Sequence, residues 1–216
     1  DANTQMSTVA GLFAAGECAA GLHGANRLGG NSLSDLLVFG QRAGEHAALF
    51  SGEQGAGIID QGRVERAAQA SLEPFGRAQS NDGPYQLQYE LQEMMQELVG
   101  IVRNGVEMER ALTALGRLRS RVAETPVHGS REYNPGWHTA LDLLNLLTVS
   151  EAVTRAAIER KESRGAHSRE DYPDKDEQAA TFNIVLRKAP DGSMQVERAT
   201  IPERPAELTA IIEENQ

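Results

Sequence analysis

Cysteine is almost absent from this chain. The 216 residues hold one, Cys18, which excludes an internal disulfide and a cysteine-ligated iron–sulfur or zinc centre within these residues. Its ordinary reading is a small buried apolar side chain, and such sparse use of cysteine fits a reducing compartment. Basic residues are in deficit, 21 Lys and Arg against 31 Asp and Glu, for a formal charge of -10. A general polyanion binder needs clustered cations to displace counterions, so nucleic acid is excluded as a partner class. Small anionic substrates are not, because a local Arg rather than the net charge decides their binding. Long hydrophobic runs are missing too. The richest, residues 141–149, is interrupted by Asp142 and Asn145 and falls short of a membrane span. The opening Asp1-Ala2-Asn3-Thr4 does not read as a signal peptide. It runs at once into a strand-like segment, as expected of a cut through a larger protein.

What is present suits a globular protein: 40% hydrophobic and 24% charged residues, with enough length for one large domain or two small ones. Residues 9–15 are short and apolar and end at Gly16, the pattern of a buried strand closing in a turn. A glycine-dense loop follows over residues 21–30. Asn31 or Ser32 is placed to cap the next helix, and Ser32 with Asp35 has capping-box spacing. That helix carries Leu33, Leu36, Leu37, Gly40 and Ala43 on one face and ends near Ser51-Gly52.

Beyond a linker at residues 52–57, a short helix is expected over 59–71, with a break at Ser80-Asn81-Asp82-Gly83-Pro84. Leu87, Leu91, Met94, Leu98 and Ile101 then follow the four-three spacing of a packed helix. Asn104-Gly105 stops that helix, and Met108, Leu112, Leu115 and Val122 mark another. A third spans about 137–160, and its apolar arc (Leu141, Leu143, Leu144, Leu146, Leu147, Val153) implies burial from several sides. Short connections make these three an antiparallel bundle. A charged loop, residues 161–177, precedes a β-hairpin that turns at Pro190-Asp191-Gly192. A short acidic helix is expected over 205–215.

The chemistry concentrates in Gly11-Leu12-Phe13-Ala14-Ala15-Gly16-Glu17 and in His23-Gly24-Ala25-Asn26-Arg27-Leu28-Gly29-Gly30-Asn31-Ser32-Leu33. As residues alone, these make a strand with a carboxylate at its end, a flexible loop bearing His and Arg, and a helix start. A helix amino end carries about half a positive charge and free N–H donors. Gly29 and Gly30 permit close backbone approach, and Arg27 offers a planar fork suited to a carboxylate. The plain alternative is a glycine-rich loop with an exposed Arg and an ordinary helix cap.

Residues 23–33, continued by Asp35-Leu36-Leu37-Val38-Phe39-Gly40, closely resemble the flavin-binding segment of succinate dehydrogenase and fumarate reductase flavoprotein subunits. Glu162-Ser163-Arg164-Gly165-Ala166-His167-Ser168-Arg169-Glu170-Asp171-Tyr172-Pro173 resembles a second hallmark, from their C-terminal helical region. The tail around Ile201-Pro202-Glu203-Arg204-Pro205 departs from the family's basic and aromatic ending.

The resemblance implies FAD as cofactor and succinate or fumarate as substrate. Arg27 takes the place of the family's substrate-carboxylate ligand, and Glu17 that of an FAD-contacting acid. Ser32 and Leu33 meet the flavin ring through backbone groups. His23 either lines the substrate site or shapes the loop. No residue here is assigned as a catalytic acid or base, and none as a metal ligand. The charges of the second hallmark are expected to pack, with Arg169 and Asp171 as a candidate pair. Trp137 and His138 read as packing residues. A working member also needs a Gly-x-Gly-x-x-Gly turn, a histidine joined covalently to the flavin, and a capping domain supplying a proton-shuttling Arg. These are not among the 216 residues. The expectation is therefore the C-terminal part of a larger flavoprotein, inactive by itself. The parent would pass electrons to an iron–sulfur subunit held by membrane anchor subunits at the cytoplasmic face of the cell membrane. The alternatives are an L-aspartate oxidase-like flavoprotein and a non-catalytic, subunit-docking helical module. The implied fold is mainly α: a strand–loop–helix remnant of the FAD-binding domain (1–52), a linker with a short helix (53–83), an antiparallel three-helix bundle (84–176), and a β-hairpin with tail (177–216).

Overall fold

The structure, a computed structural model, describes residues 1–19, 22–55 and 57–214. It divides into two compact units, Asp1–Ala67 and Ala68–Gln216, and is mainly helical with two small sheets.

The first unit is built on helix α1, Asn31–Glu53. The segment before it is not the buried strand that residues 9–15 suggest. Met6 and Phe13 form one isolated antiparallel bridge, and Val9 and Leu12 are exposed. A strand needs neighbours to pair its backbone. Without one among the described residues, the chain pairs with itself: Ser7 N donates to Leu12 O (2.8 Å) and Leu12 N to Val9 O (3.0 Å). Gly16 is buried at φ +82°, and a Cβ there would lie 2.6 Å from Leu36 Cδ2, so only glycine lets this turn settle on α1. Phe13 packs edge-on against Phe50 at 6.1 Å. Cys18 is exposed rather than buried.

Helix α1 also begins differently from expectation. Its N-cap is Gly30, left-handed at φ 85°, and no side chain caps it. Asn31 and Ser32 lie inside the first turn, so no Ser32–Asp35 capping box forms. The expected apolar face stays open, with Leu33 at 71% and Leu37 at 75% exposure. Of the loop 21–30, Gly21 lies outside the described residues. Helix α2, Gln61–Leu72, runs through the division between the units.

The second unit holds the core. Helices α3 (Pro84–Leu98), α4 (Gly105–Glu124) and α5 (Pro135–Glu159) pack pairwise. Leu87, Leu91, Leu115, Leu118, Leu143 and Leu147 meet in one buried cluster; Leu98, Val99, Met108, Ala111 and Ala157 form another. The helix starts follow local chemistry. Pro84 and Pro135 open α3 and α5, where a missing N–H costs nothing. Asn104 and Asn134 cap α4 and α5 by accepting from Glu107 N (2.9 Å) and Trp137 N (3.1 Å). Asn104 thus starts a helix rather than stopping one, since α3 has already ended at Leu98, and Ile101 is exposed. Helix α5 is buried on one side. Leu143 and Leu147 are inside, whereas Leu144, Leu146 and Val153 are exposed, because only α3 and α4 cover it broadly.

Trp137 rests edge-on against Phe75 at 5.3 Å and donates from Nε1 to Ser71 O at 2.7 Å, so it packs, as expected. A two-residue parallel pair, β1 (Val102–Arg103) with β2 (Ser168–Arg169), has no counterpart in the sequence reading. β3 (Phe182–Lys188) and β4 (Met194–Thr200) form an antiparallel hairpin around Gly192 at φ +85°. Helix α6 covers Ala206–Glu214; Asn215, expected at its end, lies outside the described residues.

Candidate functional site

The loop that ends at Gly30 delivers the chain to α1 in a left-handed turn, leaving the first helical N–H groups without a side-chain acceptor. A Cβ at Gly24, Gly29 or Gly30 would meet nothing within 4 Å, so the space beside the loop is open. Ser32 is half-buried in the first turn and Leu33 is exposed. Arg27 is exposed. Its Nη1 donates to Leu28 O at 3.3 Å, and among the described residues no carboxylate pairs with it. Glu17 is exposed just past Gly16 and makes no side-chain hydrogen bond within the described residues. The loop is therefore an open surface with one uncommitted cation, one uncommitted anion and a positive helix end.

His23 is the exception. Half-buried, it places Nε2 3.2 Å from Oδ2 of Asp35. Asp35 is 7% exposed and is the one buried residue of α1 among those described. Sequence reasoning missed this pair, because Asp35 stands three residues after Ser32 and so imitates a capping box. Leu22, His23, Asn31, Ser34, Asp35 and Val38 line a cavity of about 250 Å³ beside it.

The second hallmark loop is bound up in structural work. Buried Arg169, 3% exposed, forks onto Asp171 with two 2.7 Å bonds. Its remaining nitrogen donates to Ala157 O at 2.7 Å, among the carbonyls left unpaired at the end of α5. The Arg169–Asp171 pair forms as expected. Asp171 also accepts from Gly105 N at 2.9 Å, tying the loop to the start of α4. The Arg169 hydrogen bonds, chiefly, hold its carboxyl far below the usual range, against the opposing effect of burial.

Fully buried Glu162 lies between Arg160 (3.1 Å) and Arg164 (3.0 Å) and accepts from Asp176 N at 2.9 Å. Burial works against its charge, but the bonds from Arg164, Asp176 and Arg160 outweigh that and keep it below its ordinary value. Arg160 donates to Ala179 O (2.5 Å), in the turn before the hairpin, and to Phe182 O (2.9 Å), at its first residue. His167 joins Arg103 Nη1 at 2.9 Å through Nδ1 and Arg160 O at 3.1 Å through Nε2. Since Arg can only donate and a carbonyl can only accept, Nδ1 is bare and Nε2 carries the proton. Burial pushes the His167 pKa down; the bond to Arg160 O opposes this, and the charges of Arg103, Arg169 and Arg160 add to it.

Among the described residues no group of three His, Cys, Asp or Glu is placed to hold a metal, and no helix is long and apolar enough to cross a membrane.

Comparison with known proteins connects the two regions. Residues 1–33 match the family described as FAD binding domain, and residues 88–213 match fumarate reductase flavoprotein C-term. The fumarate reductase flavoprotein subunit of Haemophilus influenzae is 39% identical over 174 residues, covering 78% of this chain and 29% of that protein. The succinate dehydrogenase flavoprotein subunit of Coxiella burnetii is 38% identical over 185 residues, 82% of this chain and 30% of its own length. A solved structure of Mycobacterium smegmatis Sdh1 in complex with UQ1 superposes with a TM-score of 0.88 at 44% identity, over 98% of this chain and 36% of that one. The chain thus spans about a third of the length of the relatives it matches. With more than half of its residues inside the second match, the chain belongs to the fumarate reductase flavoprotein C-terminal family.

Proposed function

We propose that this chain supplies one wall of the active site of a FAD-dependent oxidoreductase that interconverts succinate and fumarate, in a protein of its relatives' full length. The observation that carries the reading is the uncapped start of α1 beside Arg27, a guanidinium with no carboxylate partner among the described residues. The match of residues 1–33 to an FAD-binding family supports it.

FAD, held there, would supply a hydride acceptor for succinate and would carry added negative charge once reduced. The N–H groups of Ser32 and Leu33, at the positive end of α1, stabilise that charge. Arg27 grips one carboxylate of the substrate and so turns a methylene C–H toward the flavin, an orientation effect rather than acid–base chemistry. Glu17 accepts a hydrogen bond from a ribose hydroxyl, and His23 lines the substrate side of the loop. In this reading residues 1–52 close the FAD-binding domain and 53–83 link it onward. Residues 84–176 form an antiparallel three-helix bundle, and 177–216 a hairpin and tail. Electrons pass to an iron–sulfur subunit, and membrane anchor subunits hold the assembly at the cytoplasmic face of the membrane.

The test is succinate-dependent dye reduction by the full-length flavoprotein. Arg27→Gln is expected to lower kcat/KM by about a hundredfold, the loss of one charged, hydrogen-bonded contact. Arg27→Lys should recover only part, since an ammonium lacks the fork. Unchanged turnover of succinate by Arg27→Gln would sink the reading. Reduction driven by L-aspartate and not succinate would move the protein to the aspartate oxidase relation, which the named relatives do not favour.

A further inference from the structure

Helix α1 runs for 23 residues with its leucines exposed, and the one side chain it buries is an acid, Asp35. Burying a carboxylate costs free energy unless it is paired and hydrogen-bonded, and a leucine at position 35 would spare that cost. Asp35 does not serve the helix end either, because no side chain caps α1. Among the described residues it has one side-chain partner, His23 Nε2 at 3.2 Å, twelve residues back on the glycine loop. Four residues after His23 comes Arg27, exposed and held by a single bond to its neighbour's carbonyl. The loop between them includes Gly24 at φ +60°, where an added Cβ would meet nothing within 4 Å. Glycine-rich backbone of this kind needs an anchor if a side chain on it is to keep one position.

We propose that Asp35 is a positioning residue: through its hydrogen bond to His23 it latches the loop 22–30 to α1 and so fixes where Arg27 presents its guanidinium to the dicarboxylate. This rests on the reading of Arg27 as the substrate-carboxylate ligand, and it gives His23 its principal task, to hold the loop. The bond also sets the histidine's orientation. With Nε2 facing the carboxylate, Nδ1 is the nitrogen left for the loop or the substrate. Adjacent charges are arranged to match. The carboxylate lies on the helix side of the loop and is occupied by the imidazole, so it does not draw Arg27 away from an incoming anion.

The test uses the full-length flavoprotein with Asp35→Asn, Asp35→Glu and His23→Gln, the double variant of Asp35→Asn with His23→Gln, and two readouts. Hydrogen exchange of the amides in residues 22–30 reads the latch, and steady-state kinetics with succinate read its purpose. Asp35→Asn is expected to speed exchange in the loop and to raise KM by roughly tenfold, with kcat changed much less. Asp35→Glu should restore most of the KM. The double variant should be no worse than the worse single one, because both changes break the same bond.

Unchanged loop exchange in Asp35→Asn overturns the latch, whatever the kinetics. Faster exchange with unchanged KM in a protein that turns over succinate makes Asp35 merely structural and overturns the positioning role. Additive single effects do the same. If Asp35→Asn fails to fold, Asp35→Glu and His23→Gln carry the decision on the same two readouts. A wild-type protein that ignores succinate sinks the dicarboxylate reading instead, and is told apart because loop exchange still decides the latch.

Discussion

The two units use apolar residues in opposite ways. In Ala68–Gln216 the leucines of three helices face one another, and the two buried charged side chains, Glu162 and Arg169, lie in a network with Arg160. In Asp1–Ala67 the leucines of α1 face out, and a lone acid faces in. One unit carries its own hydrophobic reason to fold; the other carries groups left uncommitted. Stability and the proposed chemistry fall on different stretches of chain, so substitutions should sort by unit.

The largest effect is expected at Arg169. Arg169→Ala leaves Ala157 O and neighbouring α5 carbonyls without their donor and empties a buried site, and should cost about 3–5 kcal/mol in urea unfolding; a loss under about 1 kcal/mol would mean the hallmark loop does not hold the second unit together. Next comes Leu143→Ala, a large-to-small change in the core, expected to cost about 2–5 kcal/mol. Then pH. His167 is neutral in the fold with its pKa lowered from 6.5, so the unfolded chain binds the proton more readily. Stability is therefore complete above that value and falls as the pH drops below it toward the folded pKa. His167→Gln should flatten that part of the unfolding-midpoint profile. A profile that stays equally steep assigns the slope to other groups. The smallest effect is Leu37→Ala, on the open face of α1, expected within about 0.5 kcal/mol. A cost matching that of Leu143→Ala would erase the contrast between the units.

The second unit was also the more legible in sequence. Period and caps are local signals: Leu87, Leu91 and Leu98 announced α3, and Pro190-Asp191-Gly192 announced the hairpin. The misreadings came where a local pattern had two uses. Asn104 ends one stretch and caps the next. Asp35 has capping-box spacing, but it turns instead to a histidine that no periodicity could single out. Residues 9–15 have strand composition, yet a strand exists only by pairing. The wide apolar arc of α5 signalled burial on sides that stay open. The candidate site residues were named by resemblance more than by spacing. What the structure adds is their condition: among the described residues Arg27 has no carboxylate partner and Glu17 no side-chain hydrogen bond, the helix end is uncapped, and His23 is tied down.

Trp137 is the one tryptophan in the sequence, and it sits against Phe75 with its indole N–H on Ser71 O. Intrinsic fluorescence excited at the indole therefore reports on a contact made within residues 68–216. A melt followed by emission will trace the loss of that contact. Pairing emission with a probe attached at exposed Cys18 would give each unit its own colour.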